Sequence, residues 1–204
     1  MIGLIDYGAG NLLSVHNALK SLGVEPKIVR SEADLDGVTK LILPGVGSFG
    51  DCVENLTAQG LWEPLKSWLT SGKPYFGICL GYQILFASSE ESPGVAGLGI
   101  FPGTVVRFPA EPGLKVPHMG WNTVAFAQSD CPLWQGLDSG CYFYFVHSFF
   151  PVPNDPNLAA GTTDYAGKFT CAIAHGAILA VQFHPERSQR TGLVVLQNFV
   201  NAVV

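Results

Sequence analysis

Short apolar runs alternate with amphipathic stretches over the first half of the chain. The apolar runs predict buried strands at residues 2–5, 27–30, 40–43 and 74–78. Between them, apolar residues recur at helical spacing and predict helices over 12–22, where Asn11 can cap the first turn, and over 61–71. Strands that alternate with helices are typical of a parallel sheet covered on both faces.

The second half of the chain is poor in helical patterns and punctuated by Gly and Pro. Its short runs predict strands at 105–108, 123–126, 141–147, 158–162, 170–174 and 178–183. Ser188 is in position to cap a last helix, whose apolar stripe carries Leu193, Leu196, Phe199 and Val200. No repeat or linker interrupts the pattern. We therefore expect a single domain over residues 1–204, an α/β three-layer sandwich with a mixed, largely parallel central sheet.

Composition and charge exclude several classes of protein. The chain is 48% hydrophobic and only 13% charged, which favours a globular fold over disorder. A net charge of −5 without a basic run argues against nucleic acid as a partner. No apolar run reaches membrane-spanning length, and an early Asp6 indicates a first strand rather than a signal peptide.

The cysteines indicate a reduced protein without a metal site. The five thiols, at positions 52, 79, 131, 141 and 171, include no C-x-x-C pair, so neither a zinc site nor a disulfide framework is indicated. We interpret four of them as small packing residues and expect no cofactor. A free thiol at position 79 suits a reducing compartment, and we expect a cytoplasmic protein.

Cys79 stands in a pattern that produces reactive nucleophiles. The strand at 74–78 ends in Gly77-Ile78-Cys79-Leu80-Gly81, the G-x-C-x-G form of a nucleophile elbow. A nucleophile on such a sharp turn adopts a strained backbone conformation, and only glycine fits beside it. We expect the next helix to begin at the thiol, where free N–H groups favour a thiolate and can hold an oxyanion.

A thiol nucleophile requires a base and a group that orients the base. His184 follows the strand at 178–183 and opens His184-Pro185-Glu186, at the sheet edge where Cys79 is also expected. We predict that His184 is the base and then the acid, and that Glu186 orients it. We assign His16 to a helix surface, His175 to a turn, and His118 and His147 to polar loops or strand ends.

A glycine-rich loop after the third strand allows two interpretations. Gly45, Gly47 and Gly50 spell G-x-G-x-x-G, the dinucleotide-binding fingerprint. However, the loop does not follow the first strand, and no acidic residue ends the next strand, where a ribose would be held. We favour a flexible loop in which Val46 or Gly47 donates a backbone N–H to an oxyanion, with Leu80 as the second donor.

Together these motifs resemble the class I, triad-type glutamine amidotransferases. GICLGYQ and FHPE carry that resemblance. IDYGAGNLLSV, LPGVGSFGD, PHMGWN, YFVHSF and FHPERSQ narrow it to the family of glutaminase subunits of imidazole glycerol phosphate synthase, along the whole chain. Two departures are visible, since Tyr82 stands where Met is frequent and Arg187 where Lys is frequent.

The resemblance implies an activity, a partner and a set of contacts. It implies glutamine hydrolysis through a thioester, in histidine biosynthesis, with ammonia passed to a (β/α)₈ cyclase that makes imidazole glycerol phosphate and aminoimidazole carboxamide ribotide. The implied substrate contacts are Gln83, Glu91, His147, Ser148 and Phe149. The implied partner-facing residues are Asn11, Trp121, Tyr144 and Arg187.

Three alternatives stay open at this point. The glutaminase of pyridoxal phosphate synthase shares the triad, although HMGWN and YGAGN argue against it. A thiol peptidase could use the same nucleophile. A nucleotide-binding module without enzymatic activity could use the loop at 45–50.

Overall fold

The computed structural model describes residues 1–8 and 11–202. Ala9 and Gly10, part of the first motif quoted above, lie outside the described residues, as do residues 203 and 204 at the end of the expected domain. The strands are β1 (Ile2–Ile5), β2 (Lys27–Val29), β3 (Lys40–Leu43), β4 (Tyr75–Ile78), β5 (Phe86–Ser89), β6 (Phe101–Arg107), β7 (His118–Phe126), β8 (Cys141–His147), β9 (Phe149–Pro153), β10 (Ala159–Asp164), β11 (Lys168–His175) and β12 (Ile178–Val181). The α-helices are α1 (Leu12–Ser21), α2 (Phe49–Ala58), α3 (Trp62–Thr70), α4 (Leu80–Gln83) and α5 (Gln189–Asn201).

The central sheet has nine strands and changes character halfway across. Its order is β2-β1-β3-β4-β12-β11-β10-β7-β8. The pairings from β2 to β12 are parallel, and those from β12 to β8 are antiparallel. The mixed sheet is confirmed, but the antiparallel half is as wide as the parallel half. A separate small sheet has the order β5-β6-β9.

The three-layer arrangement follows from alternation along the buried strands. Successive side chains of a strand point to opposite faces, so each inner strand supplies two cores. On β4, Phe76 belongs to the core that also contains Leu19 of α1 and Phe199 of α5. Its neighbour Tyr75 belongs to the other core, with Leu65 of α3. Helices therefore cover both faces of the sheet, as the sequence predicts.

Several elements differ from the prediction. Helix α2 and strands β5 and β9 are additional, and α4 after Cys79 is a single turn rather than a full helix. Neither predicted cap is formed by its side chain: Asn11 and Ser188 precede α1 and α5 without a capping hydrogen bond. Both side chains bind the loop that follows β12 instead, as described below.

The described residues 1–8 and 11–202 include no helix with both the length and the apolar character needed to cross a bilayer.

Candidate active site

The turn after β4 has the strained geometry expected of a nucleophile elbow. Cys79 adopts φ +55°, an uncommon value for a non-glycine residue. A side chain at Gly77 would collide with the backbone of Gly81, and one at Gly81 with the carbonyl of Leu43. Glycine is therefore required on both sides of the thiol, because backbone segments pack directly against these positions.

The loop after β12 places an imidazole and a carboxylate at the same sheet edge. Strands β4 and β12 are parallel neighbours with Val181 opposite Ile78, so the segments beyond their carboxyl ends are adjacent. His184 Nδ1 donates to Glu186 Oε1 at 2.8 Å. Both side chains are buried, since His184 is 1% exposed and Glu186 is fully covered. The structure thus forms the predicted His184–Glu186 pair.

The charge balance of this site favours a protonated imidazole. Burial alone would lower the pKa of His184. The neighbouring Cys79 sulfur and the Glu186 carboxylate outweigh burial and raise that pKa to about 10. His184 Nε2 is buried without a hydrogen-bond partner among the described residues, so it is the ring nitrogen available for proton transfer.

The loop that carries His184 is held by two other elements. Asn11 Nδ2 donates to Glu186 Oε1 at 3.1 Å, which replaces the expected helix cap. Ser188 Oγ donates to the His184 carbonyl at 2.6 Å and accepts from Tyr144 N at 3.0 Å. The His184 N–H donates to the Tyr144 carbonyl at 2.9 Å. Strand β8 therefore holds the backbone of His184 through both its N–H and, by way of Ser188, its carbonyl.

A cavity of about 300 Å³ opens over Cys79. Its lining includes the predicted nucleophile, oxyanion donors and substrate contacts, namely Val46, Gly47, Cys79, Leu80, Gln83, Glu91, His147, Ser148 and Phe149, together with Val146 and Arg187. The structure thus brings residues from five separate segments to one cavity.

Glu91 lies between the cavity and the glycine-rich loop. It sits in the turn after β5, where Oε2 accepts from Phe49 N at 2.8 Å, the first residue of α2. Burial raises the pKa of Glu91, although the Phe49 hydrogen bond opposes this effect. Nearby, Gly50 N donates to Ser92 Oγ at 2.9 Å and Asp51 N donates to Ser48 Oγ at 3.2 Å. The N–H groups that would bind a pyrophosphate already have partners, which argues against the dinucleotide interpretation.

The two histidines expected in polar surroundings are buried among aromatic rings. His118 opens β7 and His147 ends β8, and both rings pack against Phe108 and Phe145. His118 Nδ1 lies 3.0 Å from His147 Nε2. His147 Nδ1 donates to the Phe149 carbonyl at 2.8 Å, so His147 Nε2 accepts and His118 donates. The pairing of β7 with β8 places the two histidines opposite each other and explains their burial. This contact could not be predicted from the sequence, because the two residues lie far apart in the chain.

Acid is expected to destabilise the protein through this pair. Burial lowers the pKa of His118 to about 4 and of His147 to about 3. From pH 6.5 down to about 4, the unfolded chain binds protons that the folded chain excludes, so the free energy of unfolding falls as pH falls. Fully buried His147 contributes up to ~1.4 kcal/mol per pH unit. Urea denaturation between pH 7 and pH 5 measures this slope.

His118→Phe should make that slope shallower, because it removes one of the two groups. His175→Phe is the matched control, since His175 ends β11 with an exposed side chain. Equal slopes in the His118→Phe variant and the unmutated chain would contradict the assignment.

Three of the predicted partner-facing residues form one exposed cluster. The Trp121 and Tyr144 rings meet edge to face at 6.2 Å, and the Arg187 guanidinium lies 4.4 Å above the Tyr144 ring. Trp121 is 46% exposed, with Met119 and Tyr142 exposed nearby on the same two strands. Because Arg187 also lines the cavity, the cluster lies at the cavity mouth. The fourth, Asn11, contacts the carboxylate of Glu186, the residue before Arg187.

Sequence reasoning missed one polar residue beside the nucleophile. Gln182 belongs to the run at 178–183 that was interpreted as an apolar strand, yet its Nε2 lies 3.6 Å from Cys79 Sγ. The available signal was a lone amide among apolar neighbours, two residues before His184.

The other thiols are packing residues, as predicted. Cys52, Cys131 and Cys171 belong to the hydrophobic cores and Cys141 packs partly buried against one of them. All five cysteines are free. Within the described part of the chain, no group of three or more His, Cys, Asp or Glu side chains is placed to hold a metal ion.

Comparison with known proteins agrees with this geometry. The family model "Glutamine amidotransferase class-I" matches residues 3–203. The chain is 49% identical over 204 residues to imidazole glycerol phosphate synthase subunit HisH of Gloeothece citriformis, covering 100% of this chain and 96% of that protein. The protein of the same name from Syntrophotalea carbinolica is 48% identical, with 98% of each chain covered.

Solved structures agree on the fold. PurLQS from Thermotoga maritima superimposes with a TM-score of 0.78 at 22% identity, covering 98% of this chain and 97% of that chain. A structure described as a glutamine amidotransferase gives a TM-score of 0.72 at 22% identity, covering 98% of both chains. The chain belongs to the class I glutamine amidotransferase family and, within it, to the HisH subunits of imidazole glycerol phosphate synthase.

Proposed function

We propose that this chain is the glutaminase subunit of an imidazole glycerol phosphate synthase in histidine biosynthesis. It hydrolyses L-glutamine to glutamate and passes the ammonia to a partner subunit. The observation that carries the proposal is the cavity over Cys79, which collects a strained thiol, backbone donors and a carboxylate. The buried His184–Glu186 pair lies at the same sheet edge.

The first half of the reaction forms a thioester. His184 holds the proton of Cys79, whose thiolate attacks the side-chain amide carbon of glutamine. Charge then develops on the amide oxygen, where the N–H of Leu80 and that of Val46 or Gly47 are the proposed donors. When the tetrahedral intermediate collapses, the C–N bond breaks and His184 gives its proton to the leaving nitrogen, which departs as ammonia.

The second half regenerates the thiol. A water molecule attacks the thioester carbon while His184 Nε2 takes its proton as a general base. The C–S bond breaks, glutamate leaves, and the thiolate is restored beside a protonated imidazole. Glu186 accepts from Nδ1 throughout, which keeps Nε2 directed at the reacting atoms and stabilises the imidazolium.

A carboxylate and backbone donors in the cavity suit the amino-acid end of the substrate. The Glu91 carboxylate is the proposed partner of the α-ammonium group, and backbone donors around Ser148 are proposed to hold the α-carboxylate. Gln83 contributes through its oxygen, because its Nε2 already donates to Phe149 O at 3.0 Å and to Gln182 Oε1 at 3.1 Å. The Glu91 carboxylate also accepts from Phe49 N at the start of α2. The residue proposed to bind the substrate is therefore also in contact with the end of the glycine-rich loop.

The partner is proposed to be a (β/α)₈ cyclase that docks on the cluster of Trp121, Tyr144 and Arg187. Ammonia made in the cavity would then leave directly into the partner, because Arg187 belongs both to the cluster and to the cavity lining. The free cysteines fit the reducing cytoplasm, which we propose as the compartment.

Trp121→Ala should weaken association with the cyclase by about 2 kcal/mol or more, because a half-exposed aromatic at the centre of an interface is a typical energetic anchor. Isothermal calorimetry measures the change. Val152→Ala is the matched control, since Val152 is 45% exposed on β9 of the separate small sheet. Unchanged affinity in the Trp121 variant would place the docking surface elsewhere.

Glutamate release in three mixtures tests the function. The chain is assayed alone, with an imidazole glycerol phosphate synthase cyclase, and with that cyclase plus its substrate. Release should require the cyclase and should couple to formation of imidazole glycerol phosphate. Association only with the synthase subunit of pyridoxal phosphate biosynthesis, or turnover of peptides instead of glutamine, would support the alternatives.

A further inference from the structure

Gln182 is a buried amide directly beside the nucleophile. Its side chain is fully covered, and its backbone N–H donates to Cys171 O at 2.8 Å. Val181 pairs with Ile78, so Gln182 and Cys79 are the next residues on adjacent parallel strands. A buried polar side chain is unfavourable unless it is hydrogen-bonded, so the contacts of this amide account for its presence.

Hydrogen-bond donors and acceptors determine the orientation of the amide. Gln83 Nε2 donates one hydrogen to Phe149 O and the other to Gln182 Oε1. Turning Gln83 around would set its oxygen against the Phe149 carbonyl, and turning Gln182 around would set two NH₂ groups against each other. Only the observed arrangement pairs a donor with an acceptor at each of these contacts, and it directs Gln182 Nε2 at Cys79 Sγ, 3.6 Å away.

We propose that Gln182 is a fourth residue of the catalytic centre, which donates an N–H···S hydrogen bond to Cys79 and stabilises its thiolate. The bond is weak to a neutral thiol and strengthens when the sulfur carries charge. Gln182 is suited to this role because it adds a donor without adding a charge that would compete with His184. The proposal builds on the proposed function and names a further residue at the same site.

The His118–His147 pair also contacts the carbonyl of Phe149, to which Gln83 donates. Phe149 O accepts both from Gln83 Nε2 and from His147 Nδ1. His147 in turn accepts from His118, whose Nε2 accepts from Asn122 Nδ2 at 3.2 Å. Two series of hydrogen bonds therefore converge on Phe149 O, one from Asn122 through the two histidines and one from Gln83, whose other hydrogen fixes Gln182.

Two variants separate the donor role from a structural role. Gln182→Met keeps the length and removes both polar atoms. Gln182→Glu keeps the oxygen that accepts from Gln83 but replaces the donor with a charged acceptor. A carboxylate at this position repels a thiolate whatever the role of the amide, so the Met variant is the direct test of the donor. If Gln182 served only to hold Gln83, the Met variant would leave the pH profile of Cys79 where it is in the unmutated chain. If Gln182 donates to the sulfur, the Met variant moves the profile to higher pH.

The experiment measures the rate at which iodoacetamide alkylates Cys79 as a function of pH, with peptide mass spectrometry to identify the modified thiol. The thiolate is the reactive form, so the midpoint of the profile reports its stability. Gln182→Met should raise the midpoint by about one pH unit, the size of one charge-assisted hydrogen bond, and Gln182→Glu by more. In complex with the cyclase and at pH values below the midpoint, kcat/KM for glutamine should be about tenfold lower for Gln182→Met than for the unmutated chain. Above the midpoint of the variant the two values should agree.

Thr163→Val is the matched control. Thr163 Oγ1 lies 3.4 Å from Cys171 Sγ, so the variant removes a polar neighbour from a buried thiol outside the cavity, and the Cys79 profile should not move. A Met profile, or a Glu profile, that coincides with that of the unmutated chain overturns the proposal. If one variant fails to fold by circular dichroism, the other decides. Alkylation does not depend on glutamine. A result that contradicts the role of Gln182 is therefore distinguishable from a result that contradicts glutamine hydrolysis.

Discussion

Replacing Cys79 with alanine is expected to abolish glutamine hydrolysis while the protein still folds and associates with its partner. Without the sulfur no thioester forms, and removal of a nucleophile from a triad lowers kcat by on the order of 10⁶. The backbone of the elbow is set by the glycines around it, so the fold should persist. Glutamate release in the presence of the cyclase and its substrate measures the loss.

Synthesis from added ammonium salt should continue in the Cys79→Ala complex, because the thiol serves only the amide step. Cys131→Ala is the control, a buried thiol in the turn before Leu133 that does not line the cavity. Glutamate release by the alanine variant at the rate of the control would show that another group attacks the amide.

The second large effect is expected at Gly47. This residue has φ +108° with open space around it, whereas Gly45 is packed between the Tyr7 hydroxyl and Leu80. The loop is thus held at Gly45 and free at Gly47, so the peptide unit of Val46 and Gly47 can rotate toward or away from the oxyanion. We expect the chain alone to hydrolyse little glutamine, and the partner's ligand to favour the rotated arrangement.

Gly47→Pro should remove most of that activation. Proline deletes an N–H and requires φ near −65°, and loss of one oxyanion donor lowers kcat by about 10²–10³. The assay compares glutamate release by the complex with and without the cyclase's ligand. Gly113→Pro is the matched control, an exposed loop glycine with φ +86° that does not line the cavity. Full activation of the Gly47 variant would rule out the loop as the switch.

Sequence patterns identified the strands and residues whose signals are local. Alternation and apolar runs located β1, β3 and β8 at their observed bounds. The elbow and the His184-Pro185-Glu186 turn were found because each motif is contiguous and its chemistry is restrictive. Helix α2 was missed because the glycine-rich loop before it masks a helical stripe of Phe49, Cys52 and Leu56.

Contacts between distant segments could not be predicted in the same way. The His118–His147 pair depends on the register of β7 with β8. The Asn11–Glu186 hydrogen bond joins residues 175 positions apart, and its competing local interpretation was a helix cap. The antiparallel half of the sheet was underestimated, because apolar runs do not reveal strand direction.

Trapping the acyl-enzyme is the most direct test of whether Cys79 forms a thioester with glutamine. The complex with cyclase and ligand is mixed with isotope-labelled glutamine, quenched in acid within the first turnovers and digested for mass spectrometry. We expect a labelled glutamyl group on the peptide that contains Cys79. Hydroxylamine should release this group, as it does from a thioester, and the Cys79→Ala complex should lack it. Steady glutamate release without any label on Cys79, or label on another residue, would contradict the thioester mechanism.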